Sequence, residues 1–153
     1  MIVPFTVLPF KASHAMSIPD IEANGKGREL LRNEQYFEAI EKLGPGFTLF
    51  VKNEIVGSVV FINLWWDGLA EIVMFISRSQ VQKYGILASR LCRKNIVELQ
   101  RQNKWRRVQA KVAASSERDI RWAKAMGFEI ESTKRCYGPD GEDYLEMVKI
   151  CEL

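Results

Sequence analysis

Residues 69–102 read LAEIVMFISRSQVQKYGILASRLCRKNIVELQRQ, and the way this stretch divides decides the fold. Its opening is apolar and rich in β-branched and aromatic side chains, the composition of a buried strand. Polar residues interrupt it at 77–82, and a glycine follows at Gly85. From Tyr84 onward the apolar residues fall at Leu87/Ala88, Leu91/Cys92, Ile96 and Leu99, three or four apart, as on one helix face. The expected unit is a strand, a short polar loop with one glycine, and a long helix. Such a unit aims the N–H groups of its loop and first helical turn at one point, an anion site that needs no basic side chain.

Outward from this unit, residues 47–77 carry turn signals at Lys52-Asn53-Glu54 and Asp67-Gly68, which predicts a three-strand antiparallel meander. Asp67-Gly68 is the better turn on composition, because glycine tolerates a positive φ. A strand is expected near residues 3–8. Pro4 and Pro9 make it an edge strand rather than a signal peptide. Residues 18–43 read as two helices parted at Asn24, Gly25 and Gly27. The second has Leu30/Leu31, Tyr36/Phe37 and Ile40 on one side and stops at Gly44-Pro45-Gly46. After the long helix come a strand (RRVQAKVAA), a short helix with Ser116 as N-cap and Asp119 in its first turn, and a stop at Gly127. Two final strands flank Pro139-Asp140-Gly141. The expected fold is a single mixed α/β domain over residues 1–153, with one sheet of about six to seven strands. Its strand–helix–strand portion should be a right-handed parallel crossover.

The chain has 153 residues, 47% hydrophobic and 27% charged, enough for one domain with a core of its own. No apolar run approaches the roughly 18 residues of a membrane span, so no membrane partner is expected. Cys92, Cys136 and Cys151 are odd in number and unpatterned, which suits a reduced intracellular protein without a metal cluster. Residues 78–135 hold 15 Lys/Arg against 5 Asp/Glu, although the whole chain is only +3. A solvated helix face accounts for such a block, and so does a polyphosphate ligand. Nucleic acid ranks below both, because stacking aromatics are sparse there, Trp105 and Trp122 alone.

The element order and two local stretches resemble the GNAT acyltransferase superfamily. Residues 116–128, SERDIRWAKAMGF, are similar to the family's N-x-x-A-x-x-x-Y-x-x-x-G-F stretch, with Gly127-Phe128 in place. Ser116 stands where the family favours Asn, and Ala123 where it places its reactive tyrosine. Gln82-Lys83-Tyr84-Gly85-Ile86-Leu87 resembles the pyrophosphate loop Q/R-x-x-G-x-G/A, with Leu87 in place of the last small residue and Ala88 one position late. The resemblance spans residues 47–150.

What the resemblance implies is a CoA-dependent N-acetyltransferase, with acetyl-CoA as co-substrate and an amine-bearing small molecule or protein as acceptor. Gln82, Lys83, Tyr84, Gly85, Ile86, Leu87 and Ala88 would then face the pyrophosphate, with Ser116 beside them. Phe75, Ile76 and Ser77 would offer a strand edge to the pantetheine amides if the neighbouring strand splays away. Acyl transfer needs a base and an acid. Glu71, at the start of the central strand, stands where related acyltransferases often keep a carboxylate; an outward strand residue is the other reading. Ala123 cannot donate a proton, so Tyr137, taken to lie on the strand after the short helix, is the expected substitute acid. Tyr84 reads as a core contact and His14, on a loop after the first strand, as a bystander. Trp65-Trp66 at a hairpin tip read as core packing, with a substrate lid or dimer contact as alternatives. The ending RCYGPDGEDY is similar to phage-encoded members of the family. The alternative function is therefore a catalytically silent GNAT-like structural or interaction protein, with a homodimer or virion partner. Its place would be the cytoplasm, or host cytoplasm or virion if phage-encoded.

Overall fold

The computed structural model describes residues 4–23 and 34–151. Its elements run β1 (Phe5–Pro9), α1 (Ala12–Met16), β2 (Ile21–Glu22), α2 (Glu34–Leu43), β3 (Gly46–Val51), β4 (Glu54–Asn63), β5 (Leu69–Ser77), α3 (Arg78–Gln102), β6 (Arg107–Ala113), α4 (Glu117–Ala125), β7 (Glu129–Lys134) and β8 (Tyr144–Ile150). One sheet holds them in the order β1-β3-β4-β5-β6-β8-β7, with β2 added to β5 off this path. The expected edge strand is β1. Within the sheet only β5 and β6 run parallel, joined by the α3 crossover.

Strand alternation sorts the two faces of the sheet. On β5, Val73 and Phe75 pack with Ile18 and Ile21 and with Phe37 and Ile40 of α2. Ala70, Ile72 and Met74 turn the other way, toward Cys92 and Ile96 of α3 and Ala123 and Met126 of α4. Trp105, just past α3, stacks on Phe61 at 4.8 Å between ring centres and donates its indole N–H to Asn63 Oδ1 at 2.9 Å. A buried tryptophan with its polar atom partnered is a strong anchor for the helix end.

One departure in the sheet positions the site. β5 and β6 are paired only at Leu69↔Arg107, Ala70↔Val108 and Glu71↔Gln109. Beyond Glu71 each is held by its outer neighbour, β5 by β4 as far as Ile76 and β6 by β8 as far as Ala113. The two strands therefore splay, as the resemblance requires.

Several expectations need correction. The polar loop at 77–82 does not form: helix α3 follows β5 directly, and Gly85 lies inside it. Ser77 is the N-cap and accepts from the Gln80 amide, while Val81 joins Tyr84 and Ala88 on the packed side. No Gly or Pro lies between Ser77 and Gly85 to stop a helix that starts with such a cap. The helix expected to open at Ile18 lies earlier, at α1. Pro19 ends that run, and Ile21–Glu22 is strand. The separator at Asn24, Gly25 and Gly27, with Leu30 and Leu31, falls outside the described residues. The tighter hairpin turn is Lys52-Asn53, both residues at positive φ, whereas β4 and β5 are joined by a longer loop with Gly68 at φ +86°. Trp65 and Trp66 on that loop are 90% and 62% exposed, so neither is core packing. Tyr137 lies beyond β7, in a connection that turns at Cys136 (φ +55°) and is tied by the Cys136 amide to Asp143 Oδ1. His14 sits within α1 rather than on a loop, its Nδ1 2.7 Å from Thr48 Oγ1.

Candidate active site in the β5–β6 splay

A cavity of about 270 Å³ opens where β5 and β6 part. Glu71 lines it at the last paired position of β5, and Lys111, two residues past the last paired position of β6, reaches back to it. The Lys111 ammonium is ion-paired with Glu71 Oε1, and both side chains are largely buried. Alternation explains the meeting: Gln109 faces Glu71 in register, and Lys111 returns to the same side of the sheet.

Three tyrosines share the cavity. Tyr137 comes from the β7–β8 connection, Tyr144 opens β8, and Tyr36 comes from α2. The Tyr137 and Tyr144 rings are 5.3 Å apart and tilted by 52°. Tyr144 is buried while Tyr137 is half exposed. Burial, and then the Glu71 charge, push the Tyr36 phenol above its ordinary value, which places that hydroxyl within reach of the Glu71 field. Ala123 also lines the cavity, a buried methyl where the resemblance puts a tyrosine.

A second, apolar cavity of about 100 Å³ lies beneath α3. Val81, Gly85, Ala88 and Cys92 of α3 form its roof, and Met74, Ile76, Arg118, Asp119 and Trp122 line both cavities. The two are therefore contiguous, from the α3–α4 side through the splay to Glu71. Trp122 Nε1 donates to Ser89 Oγ at 3.0 Å and links the helices above this passage.

The start of α3 is already occupied by the chain itself. Asp20 Oδ1 accepts the Ser77 hydroxyl and Oδ2 the Ser79 amide, both at 2.7 Å. Ile21 pairs with Ser77 and Glu22 with Ile76, so β2 covers the β5 edge at those residues. Glu22 is ion-paired with the Arg118 guanidinium, which also bonds Asp119. Residues 18–22 thus form a strap held at both ends of one contact, with Ile18 and Ile21 buried beneath it.

The expected cofactor residues fare unevenly against this geometry. The edge left for an extended amide chain runs from Ile72 to Phe75 rather than Phe75 to Ser77, and Phe75 turns its ring into the α2 side. Gln82, Lys83, Ile86 and Leu87 are exposed on α3, while Tyr84 packs edge-on to Phe5 at 6.2 Å. Amides of residues 82–88 lie within a continuous helix, where they are spent on i→i−4 bonds, so these residues form no loop that cradles a phosphate. Ala88 is buried under α3. Ser116 donates to Asp119 Oδ2 at 2.7 Å instead of capping α4 with its own oxygen. As it stands, the passage suits a thioester arm and the helix start does not suit a diphosphate.

Sequence reasoning brought Glu71 and Tyr137 to one cavity and missed Tyr36, Lys111, Arg118, Asp20 and Glu22. Lys111 had a signal, its two-residue offset from the register partner of Glu71. Tyr36 had only its place beside Phe37, where a core contact is the simpler expectation.

No family model and no curated protein sequence matches the chain. Solved structures do. Ard1 from Thermoplasma volcanium superposes with a TM-score of 0.77 at 16% identity, over 97% of this chain and 99% of that one. The ribosomal-protein-S18-alanine N-acetyltransferase from Escherichia coli gives 0.77 at 17%, over 98% and 96%. A GNAT family acetyltransferase from Elizabethkingia anophelis, solved with acetyl-CoA bound, gives 0.70 at 17%, over 96% and 98%. The fold is that of the GNAT acetyltransferases.

Proposed function

We propose that the chain is an N-acyltransferase that moves an acetyl group from acetyl-CoA to an amine. The observation that carries it is the splay of β5 from β6 at Glu71, which opens a passage onto a cavity holding a carboxylate and three tyrosines. Acetyl-CoA supplies an activated thioester there. The acceptor nitrogen forms a bond to the carbonyl carbon, the carbon–sulfur bond breaks, and the nitrogen gives up a proton. Glu71 takes that proton, and Tyr137 returns one to the departing thiolate. A thiol has a pKa near 8.5, so the thiolate leaves at neutral pH with little help, which offsets the loss of an acid at Ala123. The strap at 18–22 must swing off Ser77, Ser79 and Arg118 before the anionic end of the donor can use those groups.

Ala123 and the closed strap favour a second reading, a protein that keeps the fold and has retired its chemistry. Melting curves and thiol release separate the two. Acetyl-CoA at about 100 times its dissociation constant should add about 2.7 kcal/mol of stability. Free thiol should appear only when a suitable amine is present. No melting shift at millimolar acetyl-CoA, or binding without turnover on any of a panel of polyamines, amino acids and peptide N-termini, selects the retired protein.

A further inference from the structure

The cavity on the Glu71 side has a lining that specifies more than an amine. It combines three aromatic hydroxyl-bearing rings with carboxylates, inside the most basic part of the chain. Lys111 is neutralised by Glu71 and Arg118 by Glu22 and Asp119, so the lining holds one carboxylate more than it holds cations. The Glu71 carboxylate already carries an ammonium, that of Lys111. Tyr36 reaches the cavity from α2, and Tyr137 and Tyr144 reach it from the β7–β8 end of the sheet, their rings in contact.

We infer that this cavity selects an acceptor that arrives as a small cation: an alkylammonium head held among Tyr36, Tyr137 and Tyr144, with Glu71 as its counter-charge. The inference rests on the transferase reading for calling the cavity the acceptor side. Aromatic faces attract a desolvated ammonium through their quadrupoles, and a carboxylate beside them both holds the charge and receives the proton when the nitrogen attacks. At about 270 Å³ the cavity admits a chain of a few heavy atoms and excludes a folded protein surface. An acceptor peptide would have to enter by its flexible N-terminus. Neutral or zwitterionic acceptors lose the attraction, or bring a carboxylate against Glu71.

The test uses a probe that cannot be acylated, so it is independent of turnover. Choline and its uncharged carbon isostere, 3,3-dimethylbutan-1-ol, are titrated calorimetrically into the full chain. The cation should bind at least about tenfold more tightly, a gap in the range of a desolvated cation–π contact. Tyr36→Leu should abolish the gap and Tyr36→Phe should preserve it, since the ring face rather than the hydroxyl holds the charge. Equal binding of the two probes, or a gap untouched by Tyr36→Leu in a folded variant, overturns the inference. A cation-selective cavity with no acyl transfer to any amine overturns the transferase reading and leaves the inference standing. Transfer with no cation preference does the reverse.

Discussion

Glu71 on β5 and Lys111 on β6 form an ion pair across the point where the two strands stop pairing. The pair ties the strands together at the root of the splay and fixes the carboxylate in the cavity. Lys111→Met should leave Glu71 without its internal cation and raise the KM for a neutral acceptor less than for a cationic one, which gains the vacated counter-charge. Steady-state kinetics on both acceptor types checks this. Equal effects on both would show that Lys111 only holds the strands.

The strap should compete with the donor. Asp20→Asn and Glu22→Gln each weaken one attachment, to Ser79 and to Arg118 respectively. Acetyl-CoA affinity, measured by calorimetry, should rise by about tenfold or more, since a hydrogen bond to a charged group contributes about 1.5–3 kcal/mol. Unchanged affinity in both variants would mean the donor binds elsewhere.

Asp20 also sets a pH dependence. Burial pushes its carboxyl upward, but hydrogen bonds from Ser77 and Ser79 outweigh that and hold it below the ordinary 3.8. A carboxylate depressed in the folded state adds stability that is complete above its unfolded value and is lost as pH falls through the folded one. The urea midpoint of wild type should therefore exceed that of Asp20→Asn at about pH 6, and the difference should shrink below about pH 4. A difference independent of pH would remove Asp20 from the cap.

Gly85 tests the continuity of α3. A methyl placed there meets only Val81 Cγ1, at 3.8 Å. Gly85→Ala should stabilise the protein by about 0.5–1 kcal/mol, because alanine loses less backbone entropy in a helix. Destabilisation of that size in chemical denaturation would show that the backbone needs glycine and that the segment is not helical.

Much of the fold was legible because its signals are local. The spacing from Tyr84 to Leu99, the Gly44-Pro45-Gly46 stop and the turn at Asp140-Gly141 each act within a few residues. The start of α3 was not legible, because its cap depends on Asp20, 57 residues away from Ser77 in the chain. Tyr84 read correctly as a core contact, and Trp65-Trp66 did not, since burial of a hairpin tip depends on what packs over it. In the site, Glu71 could be placed by position on a strand. The strap could not, because a two-residue strand carries no periodicity. Lys111 joined Glu71 through strand register, which no single sequence states.

Turnover by wild type and Glu71→Gln, followed as amine-dependent release of thiol from acetyl-CoA, tests the central claim most directly. Gln keeps the size of the side chain and an acceptor for Lys111 while removing the base. The variant should retain the wild-type denaturation midpoint within a modest shift and lose about 10²- to 10⁴-fold in kcat, the usual range for a general base. A folded Glu71→Gln protein that turns over as fast as wild type would contradict the account.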